Sequence, residues 1–415
     1  MRRAARSRIW LLVPVVLALE TGCAPGHPPE EMVSVRDSAG VSIVTINADP
    51  ATLPLRSLEL EPLRVIEGGA DGIPDFVNLG AVRWLSNRWT LVADWGADVM
   101  HLFDSNGSLI RTVGRPGDGP GEFREVRSVT VLPGDTAVVY DHPHRRVEVF
   151  GPEGEYVRTV RMPGPVSLEA FPLDMYALDA HRFLAQRYRF SDTLLTPGLA
   201  IQRSLSFEDL VLFDPAGIIL DSTPAVSGRY GAYTSDGDTR APWSHRPFVA
   251  VDRNRIIFGN GERWEMTVRN DSLRPELMIR WPSAEEPLRA EEVEEYSRKV
   301  RAAYPPSIPA ARVDRSLATI FSPAILPDQR PAIGRVVFDP AGRIWVGRFR
   351  PFWWPIPWEP VDWVVLSAEG TPLVRVLLPE TMRLEEVRGD TLLVVMTDSL
   401  DVEHVAVYRL QRDSN

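Results

Sequence analysis

Residues 113–123, VGRPGDGPGEF, contain four glycines and two prolines. A glycine-rich segment of this kind binds phosphate when a strand precedes it and a helix follows, because the helix N-terminus then faces the anion. Here the following residues, VRSVTVL, have the β-branched composition of another strand. The sequence therefore favours a turn between two strands at 113–123 over a phosphate site.

His142 and His144 flank Pro143 at a spacing that would allow both imidazoles to bind one metal ion. Both residues lie in a short polar segment between two strand-like runs, which favours a solvated turn. We find no serine elbow, no P-loop and no histidine pair at metalloprotease spacing. The sequence predicts no catalytic residue, no metal ligand and no cofactor.

Arginine and aromatic side chains are the groups best suited to bind a ligand. A guanidinium group pairs with carboxylate oxygens in a bidentate way, and aromatic rings cover the apolar part of a ligand. For Trp353, Trp354 and Trp358, packing as a rigid lid is the favoured alternative, since indole is also a common core group. The candidate ligand-binding residues are Arg187, Tyr188, Arg189, Trp243, His245, Arg246, Trp353, Trp354 and Trp358.

An internal repeat indicates how these residues are positioned. With a shift of 47 residues, the segment that begins at Leu63 aligns without a gap on the segment that begins at Ile110. Each unit contains four short β runs separated by turn sequences such as DSNGS and PEGE. Repeats of 40 to 50 residues built from short strands are typical of propeller blades.

Weaker copies of the unit extend to the C-terminus and bring the number of blades to six. The sixth unit has only three runs, so its fourth strand must come from the N-terminal part of the chain. Two segments are candidates for that strand: LRVIEG at 63–68, and the hairpin VSVRDSAGVSIVTI at 33–46. The predicted fold is all-β, a six-bladed β-propeller.

The turn GDGPGEF and the runs that follow it resemble the NHL repeat, in which a glycine-rich turn and Phe precede the first strand. Asp141, Arg146, Val147 and Phe150 match that motif, whereas Ala97 and Val99 replace its polar and arginine positions in the preceding blade. The chain as a whole is similar to exported six-bladed propeller lipoproteins of bacteria. This resemblance implies the fold and export; that family is largely without assigned activity.

Asp94 and Asp141 end the second strand of two successive blades. In metal-dependent lactonases of similar architecture, acidic residues line the mouth of the central channel. An Asp at a strand end more often caps its own turn, and its recurrence in two blades favours that structural role.

Three long insertions fall in loops that open on one face of a propeller. Two separate the second and third strands of a blade, at 191–208 in blade 3 and 349–360 in blade 5, and the third lies between blades 4 and 5. The insertion at 283–332 contains a predicted helix at 283–306, with Ser283 and Glu286 as a capping box and a stripe of apolar residues. We expect this helix to pack on the propeller as part of a lid.

The N-terminus has the features of an export signal, with arginines ahead of a short apolar run. Cys23, the single cysteine, follows this run as in a lipobox, although Glu20 departs from that pattern. We predict a signal peptide at 1–22, lipidation of Cys23, a Pro-rich tether at 23–32 and the propeller at 33–415. Loss of 1–22 changes the formal charge from −10 to −13, which argues against nucleic-acid binding.

The sequence thus predicts an exported propeller that binds a small molecule, a glycan or a protein on its insert-bearing face, with membrane attachment through the lipid only. The enzymatic alternative is a metal-dependent lactonase-like or lyase-like protein with its site in the central channel. A third interpretation is a purely structural component of the cell envelope.

Overall fold

The computed structural model describes residues 32–411, except 71, 162–169, 191–201, 235–236, 354–356 and 358. The predicted signal peptide, nearly all of the predicted tether, Trp354 and Trp358 therefore lie outside the described residues. Within the described part of the chain, no helix is both long enough and apolar enough to cross a bilayer.

The described residues form an all-β, six-bladed propeller with helical and loop insertions, as the repeat predicts. Each blade is an antiparallel sheet of four strands, ordered from the central channel outward. The strands are Leu79–Trp84, Thr90–Asp94, Val99–Phe103 and Leu109–Val113 in blade 1; Val126–Leu132, Thr136–Asp141, Arg146–Phe150 and Tyr156–Arg161 in blade 2; Ala170–Ala177, Phe183–Phe190, Gln202–Phe213 and Ile219–Ser222 in blade 3; Phe248–Asp252, Arg255–Gly259, Glu265–Asn270 and Pro275–Arg280 in blade 4; Ile333–Phe338, Ile344–Arg348, Asp362–Leu366 and Pro372–Leu377 in blade 5; and Met382–Arg388, Thr391–Thr397, Glu403–Arg409 and Arg64–Glu67 in blade 6.

Turn chemistry and interblade packing follow the repeat. Gly107 and Gly154 occupy equivalent turns between the third and fourth strands with φ of +92° and +81°, a conformation that favours glycine. Apolar side chains from facing blades form common clusters; Leu102 of blade 1 and Val129 of blade 2 belong to one of them. Alternate residues of each strand thus bury their apolar side chains between blades.

The ring is closed by residues 64–67. Arg64–Glu67 pairs antiparallel with Glu403–Arg409, with Ile66 opposite Val405. The other N-terminal candidate has a different role: the hairpin of Val33–Ser38 and Val41–Ile46 adds to the outer edge of blade 4, where its second strand runs parallel to the blade's last strand. The sequence left this choice open, and the pairing decides it.

Three further strands extend the sheets. Leu55–Arg56 runs parallel to the outer strand of blade 5. Val226–Thr234 and Gly237–Arg240 form a hairpin that pairs with the long third strand of blade 3. This second hairpin has no counterpart in the described residues of the other blades, and it brings the connection between blades 3 and 4 onto the insert-bearing face.

The insertion between blades 4 and 5 contains two helices, α1 (Ala290–Ala303) and α2 (Ala310–Ile320), rather than the single helix predicted at 283–306. The predicted capping box is wrong, because Ser283 lies in the short 3-10 helix Pro282–Ala284 and its hydroxyl donates to the carbonyl oxygen of Ala48. α1 begins after Arg289, whose N–H donates to the Glu292 carboxylate.

Candidate functional site

Two of the three predicted insertions, the helical segment at 283–332 and the blade 5 loop, meet the connection between blades 3 and 4 on one face of the propeller. Most of the third, the blade 3 insertion, lies outside the described residues. The Phe352 N–H, from the blade 5 loop, donates to the Pro242 carbonyl in the connection between blades 3 and 4, at 3.0 Å. The Tyr296 hydroxyl, on α1, donates to the Pro351 carbonyl at 3.0 Å. These bonds hold helix, loop and connection together above blades 3, 4 and 5.

The candidate tryptophans that the structure describes are packing residues. Trp243 is 3% exposed and makes ring contacts with Tyr296 and Phe349, at centroid distances of 6.1 and 6.3 Å. Trp353 contacts Tyr304 at the end of α1, at 5.9 Å. The lid interpretation therefore describes Trp243 and Trp353 well, while Trp354 and Trp358 lie outside the described residues.

His245 is buried beside the same lid. Its ring makes an edge contact with Tyr230, at 5.6 Å. The backbone N–H of Tyr230 donates to the Ser244 hydroxyl, and the Tyr230 hydroxyl donates to the Trp243 carbonyl. His245 thus supports the connection between blades 3 and 4 from within.

Arg187, Tyr188 and Arg189 do not form one group, because successive residues of a strand face opposite sides of the sheet. Arg187 makes a bidentate pair with Asp209, at 2.9 Å for both bonds, and Arg189 donates to the same carboxylate. Tyr188 lies on the other side, directly opposite Glu208 in the neighbouring strand. One buried carboxylate therefore engages both arginines.

Arg246 belongs to a second arginine group at the mouth of the channel. Its guanidinium carbon lies 4.5 Å from the ring centroid of Phe352, and that of Arg240 lies 5.5 Å from the same centroid. Burial, followed by the charges of Arg229 and Arg240, lowers the pKa of Arg246 to about 9, although Glu359 opposes the shift. Burial also lowers the pKa of Arg229. We call Arg229, Arg240 and Arg246 the mouth arginines.

Two of the mouth arginines, Arg229 and Arg240, have few opposing charges. Among the described residues, neither Arg229 nor Arg240 has an acidic oxygen within 4.0 Å, although both side chains reach solvent. Glu208 and Asp174 are the carboxyl groups that act on Arg229 electrostatically. The site therefore combines accessible guanidinium groups, partial desolvation and a shortage of counter-charge.

The two carboxyl groups that act on Arg229, those of Glu208 and Asp174, both have raised pKa values. Burial raises the pKa of Glu208 to about 7, against the opposing hydrogen bond from Gln186 and the charge of Arg229. Burial likewise raises the pKa of Asp174 to about 6, against Arg127 and Arg229. Near neutral pH these groups therefore offset the arginine charge only in part.

Deeper in the channel, Glu385 is the centre of an ion-pair network. Its carboxylate pairs with Arg83 at 2.9 Å, Arg383 at 2.7 Å and Arg335 at 3.4 Å. Burial opposes its ionisation, but the three arginines outweigh burial and lower the pKa of Glu385 to about 2. Arg83 also donates to the carbonyl of Val129, so the network ties blades 5, 6, 1 and 2 together.

The remaining candidates from the sequence are structural. Asp94 is fully buried and accepts hydrogen bonds from backbone N–H groups that include those of Asn78 and Ala97, which confirms the capping role. His144 contacts Asp141 and Asp118 through its two ring nitrogens, so it braces the glycine-rich turn. The described residues contain no group of three or more His, Cys, Asp or Glu side chains placed to hold a metal ion.

Sequence reasoning missed Arg229, Arg240, Asp174 and Glu208. The available signal was the departure from the repeat: Arg229 and Arg240 lie in a hairpin of blade 3 that does not recur in the described residues of the other blades. A connection without a counterpart is where a repeat fold gains specific function.

Comparison with known proteins agrees with the fold. Residues 75–194 match the family described as 6-bladed beta-propeller. No curated protein matches the sequence.

Three similar solved structures show how far the likeness extends. A candidate exported protein of Bacteroides fragilis is 10% identical, with 86% of this chain and 100% of that chain covered and a TM-score of 0.48. A gluconolactonase of Xanthomonas campestris is 11% identical, with 85% of this chain and 96% of that chain covered and a TM-score of 0.41. Virginiamycin B lyase of Staphylococcus aureus is 9% identical, with 80% of this chain and 95% of that chain covered and a TM-score of 0.40. Similarities of this strength carry no argument about activity.

Proposed function

We propose that this protein is an exported, lipid-anchored binding module of the cell envelope, whose ligand carries an anionic group that the mouth arginines bind. The observation that carries the proposal is Arg229: its side chain reaches solvent, neighbouring protein lowers the pKa of its guanidinium group, and no carboxylate of the described residues forms an ion pair with it. The export signal, the position of Cys23 and the NHL-like turn at 113–123 support the envelope location and repeat class.

The physical reason is the cost of an incompletely paired charge. A guanidinium group removed from water without a counter-charge is destabilised, and a bound anion offsets that cost. Planar guanidinium groups also match the oxygens of carboxylate and phosphate groups through two parallel hydrogen bonds. The ring of Phe352, from the blade 5 loop, contacts two of the mouth arginines, Arg240 and Arg246.

The distribution of charge supports the same function. The chain has a formal net charge of −10, so its overall field repels anions. Three arginines nevertheless gather at the mouth of the channel. A local cationic site on an acidic protein is specific to its ligand, because nonspecific anion binding is disfavoured elsewhere.

Replacing Arg229 with glutamine is expected to weaken binding of succinate about tenfold, because a charge-assisted hydrogen bond contributes about 1.5 kcal/mol or more. The matched control is Arg274→Gln, which removes an exposed arginine from a turn of blade 4. Isothermal titration calorimetry at low salt measures both affinities. Equal affinities in the two variants would show that the anion does not bind at the mouth.

The enzymatic alternative has one supporting observation, the raised pKa of Glu208. An acid–base group is most effective when its pKa lies near the working pH, and burial raises the pKa of Glu208 to about 7. Bound calcium or zinc in the purified protein, together with turnover of a lactone, would favour this function. Stoichiometric binding of an unchanged anion would favour the binding module.

The lipid anchor makes a separate prediction. In the full-length chain, Cys23→Ser is expected to move the protein from the detergent phase to the aqueous phase of a Triton X-114 partition, because the acyl groups are the proposed attachment. Partition of wild-type and variant protein from the same exporting host measures the effect. A free Cys23 thiol in the wild-type protein, found by mass spectrometry, would contradict the anchor.

A further inference from the structure

Glu208 has a hydrogen-bonding deficiency that the proposed function does not use. Glu208 is 1% exposed. One of its carboxyl oxygens, Oε2, accepts a hydrogen bond from the side-chain amide of Gln186 at 2.5 Å. The other oxygen, Oε1, is buried and has no hydrogen-bond partner within the described residues. Buried acceptors of this kind are rare in native proteins, since each costs about 1–3 kcal/mol.

The deficiency lies beside the mouth arginines. Glu208 is on the third strand of blade 3, and Arg229 lies in the hairpin paired with that strand. The charge of Arg229 acts on Glu208, which places the orphan oxygen and the guanidinium group in one electrostatic environment. No ion pair to a described carboxylate fixes Arg229, so its guanidinium group is available to a bound anion close to Glu208.

An anion alone does not satisfy this site. An anionic group satisfies guanidinium donors, whereas Oε1 of Glu208 requires a donor. A ligand that satisfies both must carry a hydrogen-bond donor a few bonds from its anionic group. We propose that the site takes a hydroxylated carboxylic acid, with its carboxylate on the mouth arginines and a hydroxyl group donating to Glu208; this inference rests on the proposed function.

A hydroxyl donor suits the site better than an ammonium group. Burial raises the pKa of Glu208, so near neutral pH the carboxyl group is only partly ionised. A hydroxyl group hydrogen-bonds to either protonation state, because it both donates and accepts. An ammonium group only donates, and it would lie beside three guanidinium groups that repel it.

Succinate, malate and aspartate test this proposal because they differ at one carbon only. That carbon carries two hydrogens in succinate, a hydroxyl group in malate and an ammonium group in aspartate. We expect the wild-type protein to bind malate about tenfold more tightly than succinate, the effect of one satisfied buried acceptor. Aspartate is expected to bind no better than succinate. Calorimetry of the full propeller measures all three without any variant.

Glu208→Met is the matching variant, because it keeps the length of the side chain and removes the acceptor. Malate is expected to lose its advantage, while succinate binds equally or more tightly since a partial negative charge has been removed. A purely structural role for Glu208 would weaken both ligands alike. Glu208→Leu gives a second variant if the methionine variant does not fold.

The outcomes separate the two proposals. Equal binding of malate and succinate by the wild-type protein, or tighter binding of aspartate than malate, would overturn the hydroxy-acid inference and leave the anion site intact. If Arg229→Gln leaves succinate binding unchanged, the anion site is overturned instead. Failure of all three acids to bind would overturn both.

Discussion

Replacing Glu385 with alanine is expected to lower the free energy of unfolding by about 3–5 kcal/mol, the cost of breaking a buried charge network by removal of one partner. The side chain of Glu385 is 2% exposed and is the shared partner of three arginines. Without it, the guanidinium groups of Arg83, Arg335 and Arg383 repel one another in the channel. Urea unfolding followed by fluorescence measures the change.

Glu380→Ala is the control for this substitution. Glu380 also pairs with an arginine, Arg350, but its side chain is 66% exposed. An exposed pair contributes about 0–1 kcal/mol because water and salt screen it. If the two alanine variants unfold at the same urea concentration, the channel network does not stabilise the ring.

The same network predicts the direction of a pH effect. The folded-state pKa of Glu385 is lowered to about 2, below the value of about 4.3 for Glu in an unfolded chain. Its contribution is therefore fully present above the unfolded pKa and is lost as the pH falls from about 4 toward 2. The stability difference between wild type and Glu385→Ala should narrow over that interval.

Much of the architecture can be predicted from the sequence because the same pattern of strands and turns recurs in several blades. The glycine-rich turn, the buried Phe123 and the Asp at the end of the second strand recur, so the strand order can be predicted without any tertiary information. Phe123 is fully buried and contacts Phe150 of the same blade, with ring centroids 5.7 Å apart. The strand pattern assigned to one copy of the repeat is therefore supported by the same pattern in the other copies.

Features that occur once were harder to predict. The segments 33–46 and 63–68 both have a strand pattern, and only pairing across more than 200 residues of sequence distinguishes them. α2 was missed because it follows a proline-rich segment, although Val313, Leu317 and Ile320 have helical spacing and are buried. Single occurrences offer no second copy against which a pattern can be checked.

The candidate site was predicted in outline rather than in residues. The insertion pattern predicted a candidate face that includes Arg246, but not the carboxylates that determine which arginines form ion pairs. Asp209 engages Arg187 and Arg189, whereas no described carboxylate forms an ion pair with Arg229. Ion pairing depends on which side of a strand each residue faces, and the register of blade 3 fixes that only in three dimensions.

Ring closure gives the other large effect. Ile66→Asp is expected to destabilise the propeller by more than about 4 kcal/mol, because it places an unpaired carboxylate in a buried apolar position. Ile66 is 1% exposed, lies opposite Val405 in blade 6 and packs in a cluster with Phe103 of blade 1. The change therefore acts where the N-terminal strand joins the last blade to the first.

Val35→Asp is the matched control, since it introduces the same charge into the N-terminal hairpin at a position that is 65% exposed. A surface substitution of this kind changes stability by about 0.5 kcal/mol or less.

A chain without residues 33–67 should lose stability throughout the ring, because blade 6 then lacks its outer strand and both neighbouring blades lose a packed face. Hydrogen exchange of the third strand of blade 3, Gln202–Phe213, on the far side of the ring from the closure, distinguishes global from local loss. Faster exchange there in Ile66→Asp is the result expected of a closed ring, and protection equal to that of Val35→Asp would show that residues 64–67 stabilise only blade 6.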